Sequence, residues 1–358
     1  MTARKSEELV TRINKVDEQL LGLLDERIRL SRELGERRRS AGETEVPPEE
    51  LTDLQKRMCE HETTVVSEAT VKAVFREIWS GATVALKPLS IAYFGRPATF
   101  THQAAVQHFG DGAQYLEHPS IGDVFDAVAR GNAAYGVVPI ENSTEGSVTH
   151  TLDMFADTSL KICAEINMPI HHCLLSKCEK AQIRILYSHP QPIGQCRRWI
   201  YRNLPDVELI EVASTTEAAA RAASDPESGA LASEVAADVY DVPVIEHNIE
   251  DSTANVTRFF VLGQENAKPT GDDKTSLLMV VRDRVGALYD SLLPFRKSSV
   301  NLTFIESRPS KRRNWEYYFF VDFVGHVADP KIRVVLEELS EYCQFVKILG
   351  SYPRAHRH

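Results

Sequence analysis

The chain has 358 residues, 43% of them hydrophobic and 26% charged. That balance belongs to a folded protein of two or three domains and excludes a disordered, collagen-like or disulfide-scaffold chain. A formal net charge of −10 repels polyphosphate, so no nucleic-acid partner is expected, although a small anion can still be held by local arginines.

The opening residues carry no apolar signal core, and apolar runs such as Leu277–Val281 are far too short to cross a bilayer. Six cysteines in such a chain read as reduced thiols, so a cytoplasmic protein with no membrane partner is expected.

Residues 1–88 hold two of the 28 aromatics, Phe75 and Trp79, but 15 basic and 17 acidic residues. From Leu9 the apolar positions Ile13, Val16, Leu20, Leu23, Leu24, Ile28 and Leu34 keep the three-four spacing of one helical stripe. No proline falls before Pro47, so the pattern predicts a helix of about 30 residues, about 45 Å long. A helix of that length needs a partner along its stripe. Gly42–Pro48 breaks it, and two more helices are expected, over Glu49–His61 and Thr64–Val84. This head is therefore all-helical and is expected to pair with a second copy.

Lys87-Pro88 marks a boundary, and residues 90–266 then mix strand and helix signals. Ser90–Gly95, Tyr135–Pro139 and Arg258–Gly263 read as strands, Ile121–Arg130 and Thr216–Ala223 as helices. The alternation indicates an α/β domain whose ligands sit where strand ends open into loops. After a polar linker, Asn266–Lys274, come strand Leu277–Val281, helix Val285–Arg296, strands Val300–Ser307 and Trp315–Val324, helix Pro330–Tyr342 and strand Phe345–Leu349. That βαββαβ order, over residues 275–352, is ferredoxin-like. Lys311-Arg312-Arg313 is expected to be a solvated hairpin tip.

Four loops at strand–helix junctions concentrate polar groups. Pro139–Ser147 offers Glu141, Asn142 and Ser143 with further hydroxyls; the others are Asn255–Arg258, His189–Gln195 and Ala98–Gln103. Such loops can present several donors to one anion, yet Asn, Ser and Gly are also the ordinary residues of a strand-end turn. His171, His172, Cys173 and Cys178 invite a zinc reading. However, adjacent strand residues face opposite sides and no second pair stands at finger spacing, so packing is preferred and no metal is expected. A Gly-x-Gly-x-x-Gly loop is absent, as expected of a chain without a dinucleotide cofactor.

The ordered set Glu141-Asn142-Ser143, His189-Pro190-Gln191 with Gln195-Cys196, Ser214-Thr215 and Asn255–Phe259 resembles the prephenate dehydratase family. Gly286-Ala287-Leu288 and Glu306-Ser307-Arg308-Pro309 are similar to the two phenylalanine-binding stretches of that family's ACT domain. The head resembles an all-helical AroQ-type chorismate mutase. The whole looks like a bifunctional P-protein with a helical head at 1–88, a two-lobed, periplasmic-binding-protein-like dehydratase domain at 90–266 and an ACT domain at 275–352.

The resemblance implies that prephenate loses its carboxylate and ring hydroxyl together, giving phenylpyruvate, carbon dioxide and water with no cofactor. It places Thr257 at the departing hydroxyl. Asn142, Ser143, Thr101, Gln195 and Ser214 are implied as substrate contacts, and Glu141 as the group that positions them. Arg258 either grips a carboxylate or pairs with a structural acid. Gly286, Ala287, Leu288, Asn301, Glu306, Ser307, Arg308 and Pro309 imply phenylalanine bound as an effector at an interface of a homodimer or homotetramer. Arogenate as substrate, or a non-enzymatic phenylalanine sensor, are the competing readings.

Two departures stand out. Ala98 replaces a glycine usual in the first loop, so a slightly different loop shape is expected. In the head, Arg27 and Arg38 match two cationic positions of the mutase. Val10 stands at the first-helix arginine, Glu50-Leu51 at an Arg-Glu pair and Leu86 near a glutamine. A dimerisation module with little or no chorismate mutase activity is expected.

Overall fold

The computed structural model describes residues 2–42, 46–47, 49–61, 65–252, 254–310 and 316–355, with backbone alone for residues 2–5. The predicted Lys311-Arg312-Arg313 tip, the Thr64 helix start and the Trp315 strand start lie outside the described residues. Two compact units result, Met1–Leu89 with Phe109–Gln114, and Ser90–His108 with Tyr115–His358.

The first unit contains helices α1 (Thr2–Ser40), α2 (Glu50–Cys59) and α3 (Glu68–Leu86). α1 exceeds its predicted length. Arg37, Arg38 and Arg39 in its last turn complement the negative end of the helix dipole. Asp25–Arg29 and Glu33–Arg37 pair one turn apart at 2.5 Å, each adding a few tenths of a kcal/mol. α3 begins at Ser67, whose hydroxyl accepts from the Thr70 amide at 3.2 Å. Leu51, Leu54, Val71, Trp79 and Ala82 are buried. Gly35 lets α1 approach α3, since a β-carbon there would lie 2.6 Å from Leu86 Cδ2. Farther up α1, the stripe of Leu9, Ile13, Val16 and Leu20 is more than half exposed, at 52–58%. One chain does not bury it.

The second unit opens with β1 (Ser90–Phe94), α4 (Phe100–Phe109), β2 (Gln114–His118), α5 (Ile121–Ala129), β3 (Tyr135–Asn142), β4 (Gly146–Ser147), α6 (Thr149–Met154) and β5 (Lys161–Pro169). A second lobe follows: β6 (Cys173–Ser176), β7 (Ile185–Ser188), α7 (Pro190–Gln195), α8 (Arg197–Asn203), β8 (Glu208–Glu211), α9 (Thr215–Ser224), β9 (Ser228–Ala232), α10 (Glu234–Tyr240) and β10 (Val244–Glu246). The chain then returns as β11 (Val256–Gly263) to the first sheet, whose order is β2-β1-β3-β11-β5. The second sheet runs β10-β6-β9-β7-β8. Buried strands rich in Val, Ile and Leu with helices between them are what an α/β lobe requires.

The C-terminal part is β12 (Asp273–Val281), α11 (Ala287–Lys297), β13 (Leu302–Pro309), β14 (Tyr317–Val324), α12 (Pro330–Tyr342) and β15 (Cys343–Pro353). Its antiparallel order β13-β14-β12-β15 is the ferredoxin-like arrangement. One face packs on its helices through Leu277, Phe295, Phe323 and Val335. From the other face, Leu278, Phe320, Leu349 and Tyr352 share a core with Ile162, Phe155 and Phe260 of the first lobe. The sequence predicts three domains; this shared core makes the last two a single compact unit.

Ala98 also departs from expectation. It adopts φ 65°, the left-handed conformation a glycine would take. It is buried, and its carbonyl accepts from Gln103 Nε2 at 2.9 Å and from Ser233 Oγ at 3.4 Å. Those contacts hold the loop against a strain of about 1–3 kcal/mol.

Candidate active site

β3 and β11 are antiparallel, with Thr257 opposite Asn142 and Arg258 opposite Glu141. Side chains alternate along a strand, so Asn142 and Thr257 share one face and Glu141 and Arg258 the other. The two faces do different things.

On the first face Asn142 Nδ2 donates to Thr257 Oγ1 and to Asn255 Oδ1, both at 2.8 Å. Asn255 Nδ2 donates to Gln195 Oε1 at 3.0 Å, and Gln195 Nε2 to Thr144 Oγ1 at 3.3 Å. Thr144 Oγ1 donates back to Asn142 Oδ1 at 2.6 Å. The four side chains form a closed ring in which each donates to the next, and each bond polarises its neighbour. The Thr144 and Glu145 amides also donate to Asn142 Oδ1, fixing which end of that amide is oxygen. Thr257 accepts from Asn142, and among the described residues no acceptor takes the Thr257 hydroxyl proton. The ring is built from the end of β3, the approach to β11 and the end of α7, so it bridges the two lobes.

Sequence reasoning singled out Thr257, Asn142 and Gln195, and these come together. Thr144 and Asn255 complete the ring, although the sequence marks them only as members of polar loops. Asn255 stands two positions before Thr257 and so on the same side of an extended chain, a signal that was present.

The other expected residues take different places. Ser143 Oγ donates to the Ala254 carbonyl at 2.8 Å and accepts from the Val256 amide at 3.0 Å, so it ties two loops rather than offering a free donor. Ser214 caps α9, accepting from the Glu217 amide at 3.0 Å. Thr101 is buried in the first turn of α4. Glu141 lies on the opposite face, 3.9 Å from Arg258 Nη1, and does not position the ring; burial pushes its carboxyl up, with Arg258 opposing.

Of the two readings of Arg258, the geometry matches the structural pairing and not the substrate grip. Its guanidinium is buried, donating from Nε to Glu165 at 2.7 Å and from Nη2 to Tyr352 OH at 3.1 Å. Nη1 makes a close ion contact of 2.7 Å with Asp322 without an aligned hydrogen bond. Burial works against the Arg258 charge, yet Asp322, Tyr352 and Glu165 hold it protonated more firmly than usual. Burial likewise opposes ionisation of Glu165, but Arg258 and Lys274 prevail and keep its carboxyl below the usual range. Asp322 and Tyr352 come from β14 and β15, so this cluster joins the strand bearing Thr257 to the C-terminal sheet.

The effector residues do not gather at one point of the single chain. Gly286, at φ 78°, caps α11, with Ala287 and Leu288 beginning that helix, and Asn301 precedes β13 exposed. Along β13, Glu306 accepts from Ser147 Oγ at 3.1 Å and Arg308 pairs with Asp153 at 3.3 Å, both turned to the first lobe. Ser307 and Pro309 point outward.

In the helical head, Arg38 Nη1 lies 2.8 Å from Glu50 Oε2. Arg27 Nη1 is buried without a hydrogen bond; burial lowers its pKa, Glu50 opposes this and Arg57 adds to it. A carboxylate thus stands among the cations that a dianionic ligand would need. The histidines weighed for zinc have other partners, His171 with Glu250 and His172 with Gln195, each at 2.7 Å.

A family model of prephenate dehydratase matches residues 91–267, and one of chorismate mutase type II matches residues 9–84. A protein of Aquifex aeolicus named bifunctional chorismate mutase/prephenate dehydratase is 44% identical over 353 residues, covering 97% of this chain and 98% of that one. This chain belongs to the bifunctional chorismate mutase/prephenate dehydratase family. A Pseudomonas aeruginosa protein of the same name is 40% identical, over 96% of each chain. The solved prephenate dehydratase of Arthrobacter aurescens, in complex with L-Phe, is 31% identical with a TM-score of 0.70, covering 74% of this chain and 90% of that one. The protein is a prephenate dehydratase in the fused form, preceded by a chorismate mutase domain.

Proposed function

We propose that prephenate is dehydrated at the ring of Asn142, Thr144, Gln195 and Asn255, with Thr257 facing the departing hydroxyl. In this reaction the bond to the ring carboxylate breaks, its electron pair makes the ring aromatic, and the C–O bond to the hydroxyl breaks. The hydroxyl leaves as water with one proton. Amides supply donors for the carboxylates, and Thr257 supplies an O–H to the oxygen as charge builds there. A threonine hydroxyl is a poor acid, so it orients or relays the proton rather than surrendering it. The observation that supports this reading is the direction of the Asn142–Thr257 bond, which leaves the Thr257 proton to point elsewhere.

The test is phenylpyruvate formation by Thr257→Val and Thr257→Ser. Valine should lower kcat at least about 100-fold and serine should keep most of it; near-parental turnover by the valine variant overturns the assignment. Offering chorismate, prephenate and arogenate separately distinguishes the substrates.

The C-terminal ferredoxin-like part is read as an ACT domain that binds phenylalanine near Gly286–Leu288 and Asn301 at an interface between copies, lowering the dehydratase rate. The Arthrobacter complex with L-Phe favours this. The exposed apolar stripe of α1 favours a homodimer formed through the head, in which a second copy covers it. The head is read as contributing little mutase activity, because Glu50 competes for Arg38. A cytoplasmic location accords with six cysteines that are thiols and not disulfides.

A further inference from the structure

Among the described residues His172 makes no hydrogen bond to Asn142 or Thr257, yet it bonds to the ring at its lobe-bridging amide. Its Nε2 lies 2.7 Å from Gln195 Oε1, the same oxygen that accepts from Asn255 Nδ2. An amide oxygen only accepts, so Nε2 carries the proton and His172 is the donor. Nδ1 is left buried without a hydrogen bond. Burial lowers the pKa of the imidazole, which keeps the neutral ring that this single donation needs.

The ring is itself held from several sides. It is 1% exposed and packs edge-on against Phe100 at 5.6 Å. The His172 amide donates to Glu250 Oε2 and its carbonyl accepts from the Ile249 amide, both at 2.9 Å. Glu250 is anchored in turn by His171. The residue occupies the crossing between β5 and β6, where the chain passes from one lobe to the other.

We propose that His172 is a positioning residue for the dehydratase, fixing the Gln195 amide with its nitrogen toward the Thr144 side of the ring. This rests on the ring being the dehydration site. The Gln195–Thr144 bond is the longest in the ring at 3.3 Å, and a bound carboxylate displaces it most easily. Gln195 Oε1 accepts from Asn255 Nδ2 within the ring and from His172 Nε2 outside it, and buried His172 is the one of these two anchors that stands apart from the ring. Without it Asn255 alone opposes a turn of the amide that would present its oxygen to an anion.

The experiment is a double-mutant cycle on phenylpyruvate formation, with kcat and KM measured for Gln195→Ala, His172→Phe, His172→Gln and the His172→Phe/Gln195→Ala pair. Thermal unfolding of each variant confirms a folded protein. Phenylalanine keeps the ring shape and the Phe100 contact without the donor; glutamine restores an N–H at similar reach. His172→Phe should lower kcat/KM about 100-fold, and His172→Gln should recover to within about tenfold of the parent. In the Gln195→Ala background His172→Phe should cost less than about threefold more. A folded His172→Phe with parental kinetics beside a crippled Gln195→Ala overturns the role of His172 alone. So do losses that multiply, or a folded His172→Gln no better than His172→Phe. Parental activity in Gln195→Ala overturns the site itself.

Discussion

Replacing Arg258 by methionine tests whether its guanidinium serves the fold or the substrate. The substitution keeps a long side chain on Phe260, over whose ring the guanidinium lies at 4.7 Å, and removes the charge together with the donors to Glu165 and Tyr352. Asp322, 3% exposed, loses its cation, and Glu165, 5% exposed, retains the Lys274 cation at 2.9 Å and the Ala355 amide at 3.0 Å. Removing one member of a buried ion pair and leaving the other uncompensated costs about 3–5 kcal/mol. Lys274 lessens the share that falls on Glu165, which places the expected loss near the lower end, about 3 kcal/mol. Urea unfolding followed by circular dichroism reads this as a lowered midpoint with an unchanged slope. The Michaelis constant for prephenate should change little in protein that remains folded. A stability loss under about 1 kcal/mol together with a tenfold or larger rise in KM would refute the argument and return Arg258 to the substrate.

Three further outcomes are expected. A partly exposed ion pair is worth up to about 1 kcal/mol, so freeing Arg38 by Glu50→Gln should raise chorismate consumption by no more than about fivefold from a low level; rapid consumption by the parent contradicts the reading of the head. Gly286→Val forces a β-branched residue into φ 78°, at a cost of about 1–2 kcal/mol, and should weaken phenylalanine inhibition of the dehydratase; equal inhibition of parent and variant removes Gly286 from that role. The Glu165 carboxyl is depressed in the folded state, so the unfolded chain binds more protons between the folded value and the ordinary one of about 4.3. Its contribution is present above that ordinary value and is lost as pH falls through the folded one. Stability measured against pH should therefore show a shallower acid slope in Glu165→Gln than in the parent.

The order of elements was legible because helical and strand periods are local properties, and the βαββαβ tail and the proline-free first helix follow from them. Thr257, Asn142 and Gln195 could be chosen from strand-end loops rich in polar groups. The division of labour between Thr257 and Arg258 could not. It depends on which face of β11 meets the C-terminal sheet, and the partners Glu165, Asp322 and Tyr352 stand 64–94 positions away. His172 was hidden for a related reason. Its neighbours in sequence suggest packing or metal, and only the crossing between lobes brings it to Gln195. Ala98 shows the reverse case, where a local preference was clear and tertiary contacts to Gln103 and Ser233 overrode it.

β11 lies between β3 and β5, yet the whole second lobe, β6 to β10, is encoded before it. During synthesis the second lobe can close from contiguous chain, while the first sheet keeps a strand-wide gap with two unpaired edges. The missing strand must be inserted between strands already made, a non-local step that belongs late in folding. Because that strand carries both Thr257 and Arg258, the chain completes the Asn142–Thr257 pair and its link to the C-terminal sheet in one assembly event. A nascent chain stopped at residue 255 would own a finished second lobe and an open first sheet.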